Sequence, residues 1–239
     1  MEPNRKPSNL RVAKYYIINA LKFYELKNEK VTPIIFVTIL FTSLVGGFFI
    51  EAAMKVGNTY LYTFINLIVV FILNIASTVY LHSFIVELKG GIASLKESIR
   101  LILRNLIKII LAYLTFIVIL MTGVFLLVLP AFIFYHMFMF YLCYLVDKDL
   151  RIKDAFNASR NVTAGKKLEI FAIFVVFTLM IFFPLFMIIL ITSISGSSLI
   201  LSFVLTFFSS ILTLMQQRLI SMLYFDLEYE DTNKKTYSM

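Results

Sequence analysis

The stretch LVDKDLRIKDAFNASR, residues 145–160, gathers three Asp, two Lys and one Arg into the eight positions from Asp147 to Asp154. Ahead of it, from Leu106 to Val146, the only charged or titratable side chains apart from Tyr and Cys143 are Lys108 and His136. An unbroken helix of that length would reach ~60 Å, twice the hydrocarbon thickness of a bilayer. The chain must therefore turn back on itself. Leu129 and Pro130 are the expected corner, because proline lacks an N–H and disfavours a helical residue before it. The charges at 147 begin where the returning limb of that hairpin reaches water.

The composition agrees. Of the 239 residues 60% are hydrophobic and 15% charged, and the mean hydropathy is +0.90, more apolar surface than one soluble core could hide. The opening MEPNRKPSNLRVAKYY is polar, without the short apolar run of a cleaved signal peptide, so the N-terminus is expected to be retained. One cysteine, Cys143, excludes a disulfide framework and a thiolate cluster for zinc or iron and sulfur. The net charge of +8 is spread along the flanks of apolar runs, not collected in a basic domain. Membrane topology accounts for it better than nucleic acid does.

At ~20 residues per crossing, the apolar runs predict an all-α bundle of six transmembrane helices in a single membrane domain, residues 1–230, with a polar tail at 231–239. The expected spans are 32–50, 59–86, 107–129, 131–146, 168–192 and 199–225, with turns at EAAMKVGN (51–58), at Leu129–Pro130 and at ITSISGSS (191–198). Of the 22 Lys and Arg, all but Lys55 then fall on one side. By the positive-inside rule that side is the cytoplasm, with both termini there, in a multi-pass membrane protein.

Three polar segments have helical amphipathic patterning and are expected to lie on the membrane surface: 8–27, 92–106 and 151–165. In the second, Ser94 and Glu97 form a candidate capping box. In the third, Ile152, Ala155, Phe156, Ser159 and Thr163 make one face and Lys153, Asp154, Asn157, Arg160 and Asn161 the other. Each surface helix precedes a pair of spans, and FIVELKG (84–90), YLVDKDL (144–150) and LYFDLEYE (223–230) each set an acid at the end of an even-numbered span. The pattern suggests a threefold helix-plus-hairpin repeat. An acid at a helix C-terminus opposes the helix dipole, so Glu87, Asp147 and Asp226 are expected to have basic partners on the neighbouring surface helices.

The text from Pro130 to Lys167, PAFIFYHMFMFYLCYLVDKDLRIKDAFNASRNVTAGKK, resembles the signature of a bacterial family of six-span membrane proteins. That family includes YciC-like proteins and the membrane domain found with glycerophosphoryl diester phosphodiesterases. The likeness rests on Gly123, Pro130, Asp147, Ala155, Ser159 and Gly165, and on the closing LYFDL with Asp226. It departs at Ala131, where the family commonly has glycine. The resemblance implies fold and location; where the domain is joined to a phosphodiesterase, catalysis belongs to a separate soluble domain, and this chain has none.

Several polar residues fall within the spans. His136 and His82 stand without a carboxylate or cysteine cluster, so a contact inside the bundle outweighs a proton or substrate role, and no metal site is expected. Arg218, after Gln216 and Gln217, could snorkel or pair with Asp147 or Glu87. Asn66, Asn74 and Ser77 share a face of span two and suit contacts between helices. Pro184 should free a carbonyl near Met180. Ser159 lacks the context of a nucleophile. The two glycosylation sequons at Asn157 and Asn161 fall on the cytoplasmic side.

Together these features lead to the expectation of a non-enzymatic scaffold or accessory subunit in envelope or lipid homeostasis, with no cofactor. Lys96, Arg100, Lys153 and Arg160 would meet anionic headgroups of the inner leaflet, each worth ~1 kcal/mol, or a protein partner or second copy. The alternative is a small transporter or exporter using Asn74, His82, His136 and Arg218 of spans two, four and six as a path.

Overall fold

The computed structural model describes residues 10–229 except 127 and 195–197, with side chains set aside at 128–129, 184–185, 187–189 and 191–200. Among the described residues there is no strand. The first unit is a short amphipathic helix, α1 (Ala13–Leu21), followed by a hairpin of α2 (Val31–Lys55) and α3 (Thr59–Leu88). Gly57 takes a positive φ of 71° at the turn, a conformation that glycine adopts without steric cost. Asn58 then caps α3 by accepting from the N–H of Leu61 at 3.0 Å. The two limbs pack closely at Gly46, where a Cβ would lie 2.5 Å from Val69 Cγ2.

The second unit comprises α4 (Leu95–Arg104), α5 (Leu106–Leu126), α6 (Val128–Phe138) and α7 (Tyr141–Asp147). Its corner is not at Leu129 and Pro130. Pro130 lies in the first turn of α6, where an amide N–H has no partner within the helix and its absence costs nothing, so the proline is carried inside a helix that already begins at Val128. Gly123 makes the tight return possible: a Cβ there would stand 2.7 Å from Ala131 Cα. The fourth span also differs from the expected single helix 131–146, for it breaks between α6 and α7.

The third unit is α8 (Ile152–Thr163), α9 (Lys167–Ile194) and α10 (Ser198–Glu228). Gly165, with φ 79°, ends α8 and redirects the chain into α9. Of the turn expected at 191–198, residues 191–194 still belong to α9 and Ser198 opens α10, while 195–197 lie outside the described residues, as do the start of the 8–27 helix and the 231–239 tail. Helix α9 runs as one helix through Pro184. The amphipathic helices are shorter than their patterning suggested, because α1, α4 and α8 each stop where the next turn begins.

Among the described residues five stretches are long and apolar enough to cross a membrane: α2, α3, α5, Pro130–Asp147 across α6 and α7, and Leu201–Glu228 of α10. Helix α10 packs against α1, α2, α3 and α9 and so occupies the centre. Tight packing is concentrated toward the end of the bundle that carries Asp147, where Tyr16, Tyr80, Phe140, Leu145 and Tyr224 are fully buried. Phe41, Phe48, Phe64 and Phe125 are exposed on the long helices. In a bilayer such residues meet acyl chains as apolar as themselves, so helix association there rests on close packing and hydrogen bonds.

Candidate functional site

Helix α8 does more than lie on a surface. Its Ala155, Ser159 and Thr163, one turn apart, are wholly buried, and they fit the break in span four. Ser159 Oγ donates to the carbonyl of Met137 at 3.0 Å and accepts from the N–H of Phe140 at 3.2 Å; Thr163 Oγ1 also reaches Met137 O, at 3.3 Å. The backbone groups freed where α6 and α7 separate are thereby satisfied. Helix α4 is anchored in a related way. Its buried Ser98 shares hydrogen bonds of 2.9 Å with His82 Nδ1 and Ser83 Oγ of α3, and its N-terminus carries the expected capping box between Ser94 and Glu97. His82 is thus an anchor for α4.

Of the acids at the span ends, Asp226 has the expected basic partner on a surface segment, Arg11, whereas Asp147 and Glu87 are held in other ways. Asp147, almost fully buried, accepts from Tyr224 OH at 2.8 Å and Tyr229 OH at 2.5 Å and pairs with Lys89, which closes α3 and does not belong to a surface helix. Asp226 accepts from Tyr16 OH at 2.6 Å and lies 3.5 Å from Arg11 Nε; burial and this carboxylate push the Tyr16 hydroxyl pKa up. Glu87 accepts the backbone N–H of Lys27 at 2.8 Å. Glu228 accepts from Tyr144 OH at 2.5 Å and pairs with Lys148. Tyrosines supply much of this binding because a phenol can enter an apolar core and still deliver a donor. Their signal was present in the aromatic residues flanking each acid.

Arg218 pairs with neither Asp147 nor Glu87. It is buried, with one guanidinium nitrogen donating to the carbonyl of Glu25 at 2.8 Å and the group stacked 4.3 Å from the Phe84 ring centroid. It pins the chain between α1 and α2 to α10, and its Nε has no hydrogen-bond partner among the described residues.

Two cavities lie between the long helices. One, about 300 Å³, is lined by polar groups of α3, α5, α7 and α10, among them Asn74, Ser77, Tyr113, Tyr141, Thr213 and Gln217. Asn66, on the same face in sequence, is exposed and takes no part. The other is an open apolar groove of about 780 Å³ between α5, α6 and α9, with His136 at its wall. Tyr135 and Gln216 line both, and Gln216 Nε2 donates to Tyr135 OH at 2.9 Å. This one bonded pair lies between the polar and apolar spaces. His82 and Arg218 line neither, so the structure does not join Asn74, His82, His136 and Arg218 into one path. Among the described residues no three His, Cys, Asp or Glu side chains come together as a metal site.

On the outer faces of the amphipathic helices, Lys96, Arg100, Lys153 and Arg160 are all exposed. None of the four makes an ion pair within 4 Å among the described residues.

The helices define a multi-pass membrane protein. Comparison with models of protein families, with curated proteins and with solved structures finds no match to this chain.

Proposed function

We propose that the chain is a non-enzymatic scaffold or accessory subunit of a bacterial cytoplasmic membrane, with six spans and both termini in the cytoplasm. It docks anionic headgroups through α4 and α8, in the service of envelope or lipid homeostasis. Helix α9 is span five and completes the set of six: its 28 residues would reach ~42 Å, enough to cross. The likeness to YciC-like and phosphodiesterase-associated membrane domains supports the same location.

One observation carries the docking reading. Helices α4 and α8 are held to the bundle by buried serines on one side and present Lys96, Arg100, Lys153 and Arg160, with no ion pair among the described residues, on the other. A stable fold gains little from exposed cations without ion-pair partners, whereas an anionic surface attracts them. The test is the double reversal Lys153→Glu with Arg160→Glu, read by the anionic lipid retained after gentle solubilisation. A clear loss relative to wild type supports docking, and unchanged retention removes it.

The cavity of about 300 Å³ favours a second reading, a transporter for a small uncharged polar solute. Polar groups gathered at membrane depth are costly there unless they serve a pathway or pair with one another. Replacing Asn74 and Gln217 by Leu in a correctly inserted protein would abolish such transport and leave lipid retention unaffected.

A further inference from the structure

His136 and Tyr135 bring two unmet hydrogen-bonding groups to a largely apolar groove, whose other polar residues are Thr178 and Gln216. His136 Nδ1 lies 2.7 Å from the carbonyl oxygen of Phe132. A carbonyl can only accept, so Nδ1 holds the proton and Nε2 of the neutral ring is left as an acceptor. That Nε2 is buried and has no partner among the described residues. The rings of Phe171 and Phe174 stand edge-on to the imidazole, with centroids at 5.3 and 5.7 Å, and neither offers a donor of the kind it needs.

Tyr135 is the complement. Its oxygen accepts from Gln216 at 2.9 Å, while its own proton is given to no acceptor among the described residues. Its ring lies 5.2 Å, centroid to centroid, from that of His136. The groove wall therefore holds one donor and one buried acceptor on adjacent residues. Apart from Thr178 and Gln216 the remainder of its wall is hydrocarbon and aromatic, including Leu120, Val124, Phe132, Phe174 and Leu179, with no charged residue.

We infer that this groove binds an uncharged long-chain alcohol drawn from the bilayer. Its hydroxyl donates to His136 Nε2 and accepts from Tyr135, and its chain lies along α5, α6 and α9. A hydroxyl is the group that gives one hydrogen bond and takes another. A carboxylate or phosphate has no proton for Nε2 and would bring a charge into a wall that holds no cation. At about 780 Å³ the space falls within the ~300–1,000 Å³ of small-molecule sites. The exposed rim at Val124, Phe132, Phe171 and Leu179 lets the chain enter sideways from lipid. This site is separate from the basic faces of α4 and α8, so it does not depend on the docking reading.

The test uses the full chain in lipid nanodiscs with trace photoactivatable hexadecanol, compared with hexadecanoic acid and a phosphatidylcholine carrying the same photoreactive chain. The alcohol is expected to label peptides containing Phe132 or Phe171 several-fold more than either other probe, and unlabelled hexadecanol should displace it. His136→Leu should cut that labelling about two- to tenfold, the range for one net hydrogen bond. His136→Gln, which places an amide oxygen near the lost nitrogen, should retain most of it. Equal labelling by the three probes, preference for the acid, or full labelling of His136→Leu would each overturn the site. If the Leu variant fails to insert, the ranking of probes on wild type and the Gln variant decide.

Discussion

Ser159 of α8 accepts the backbone N–H of Phe140 at 3.2 Å, so a helix later in the chain closes the break between α6 and α7. The same hydroxyl donates to Met137. Ser159→Ala would leave the Phe140 N–H buried without an acceptor and would remove the nearer donor to Met137 O, leaving Thr163 Oγ1 at 3.3 Å, whose single proton is shared with the closer carbonyls of Ser159 and Arg160. The expected cost is about 1–3 kcal/mol, the penalty for one stranded buried group. A circular-dichroism melt in detergent should show the lowered midpoint, and an unchanged melt would mean that the break is held by other contacts.

Glycine substitutions should rank by what a new Cβ meets. At Gly123 the obstacle is the backbone of Ala131, at 2.7 and 2.9 Å, which cannot swing aside, so Gly123→Ala should cost about 1–3 kcal/mol through overpacking. At Gly46 the obstacle is the Val69 side chain, and the loss should be smaller. Gly47 has nothing within 4 Å, so Gly47→Ala should be neutral or stabilising by up to ~1 kcal/mol from helix propensity. Melts of the three variants side by side check the order.

Removal of Asp147 should uncouple the three units, since it joins Lys89 to Tyr224 and Tyr229. Asp147→Ala is expected to cost about 1–3 kcal/mol, below the full penalty for a buried pair because Lys89 is about one-third exposed. The Lys89 ammonium is desolvated, which lowers its pKa, but the hydrogen bonds to Asp147 and Tyr229 outweigh this and leave it above the ordinary 10.5. Its stabilising share is thus complete below pH 10.5 and is lost as pH rises through the raised value. The stability gap between wild type and Lys89→Met should hold constant from pH 7 to 9 and close at higher pH.

Cys143 provides a topology probe. It is the single cysteine and is fully buried, so the folded protein should resist a maleimide that labels it after denaturation. In a Cys143→Ala background, Val56→Cys and Lys153→Cys should be labelled from opposite sides of the membrane by an impermeant reagent. Labelling of both from one side would overturn the proposed orientation.

The hairpins could be read along the chain because each depends on a local quantity. The length of an apolar run is set against a fixed hydrocarbon thickness, and the charges of residues 147–154 mark where the run ends. The amphipathic faces of α4 and α8 were equally plain, since their period is a property of neighbouring residues; the capping box of Ser94 and Glu97 spans only one turn. Pro130 misled as to the corner because a proline marks both a chain bend and a tolerated first turn, and sequence alone does not separate them. Basic partners were expected for Asp147 and Asp226 on charge alone; tyrosines joined those partners because burial rewards a neutral donor that also fills the core.

Sequence by itself determined that this protein is a helical membrane protein, where most of its long helices begin and end, and which faces of its short helices are basic. Those features arise from hydropathy and helical period over some twenty residues at a time. Only the tertiary structure decided that Ser159 mends a broken span, that Arg218 binds the Glu25 carbonyl, and that Tyr135 and Gln216 stand between a polar cavity and an apolar groove. These contacts join positions 19, 193 and 81 residues apart. Which distant side chain completes a buried polar group is settled by how the helices pack, and no local pattern encodes it.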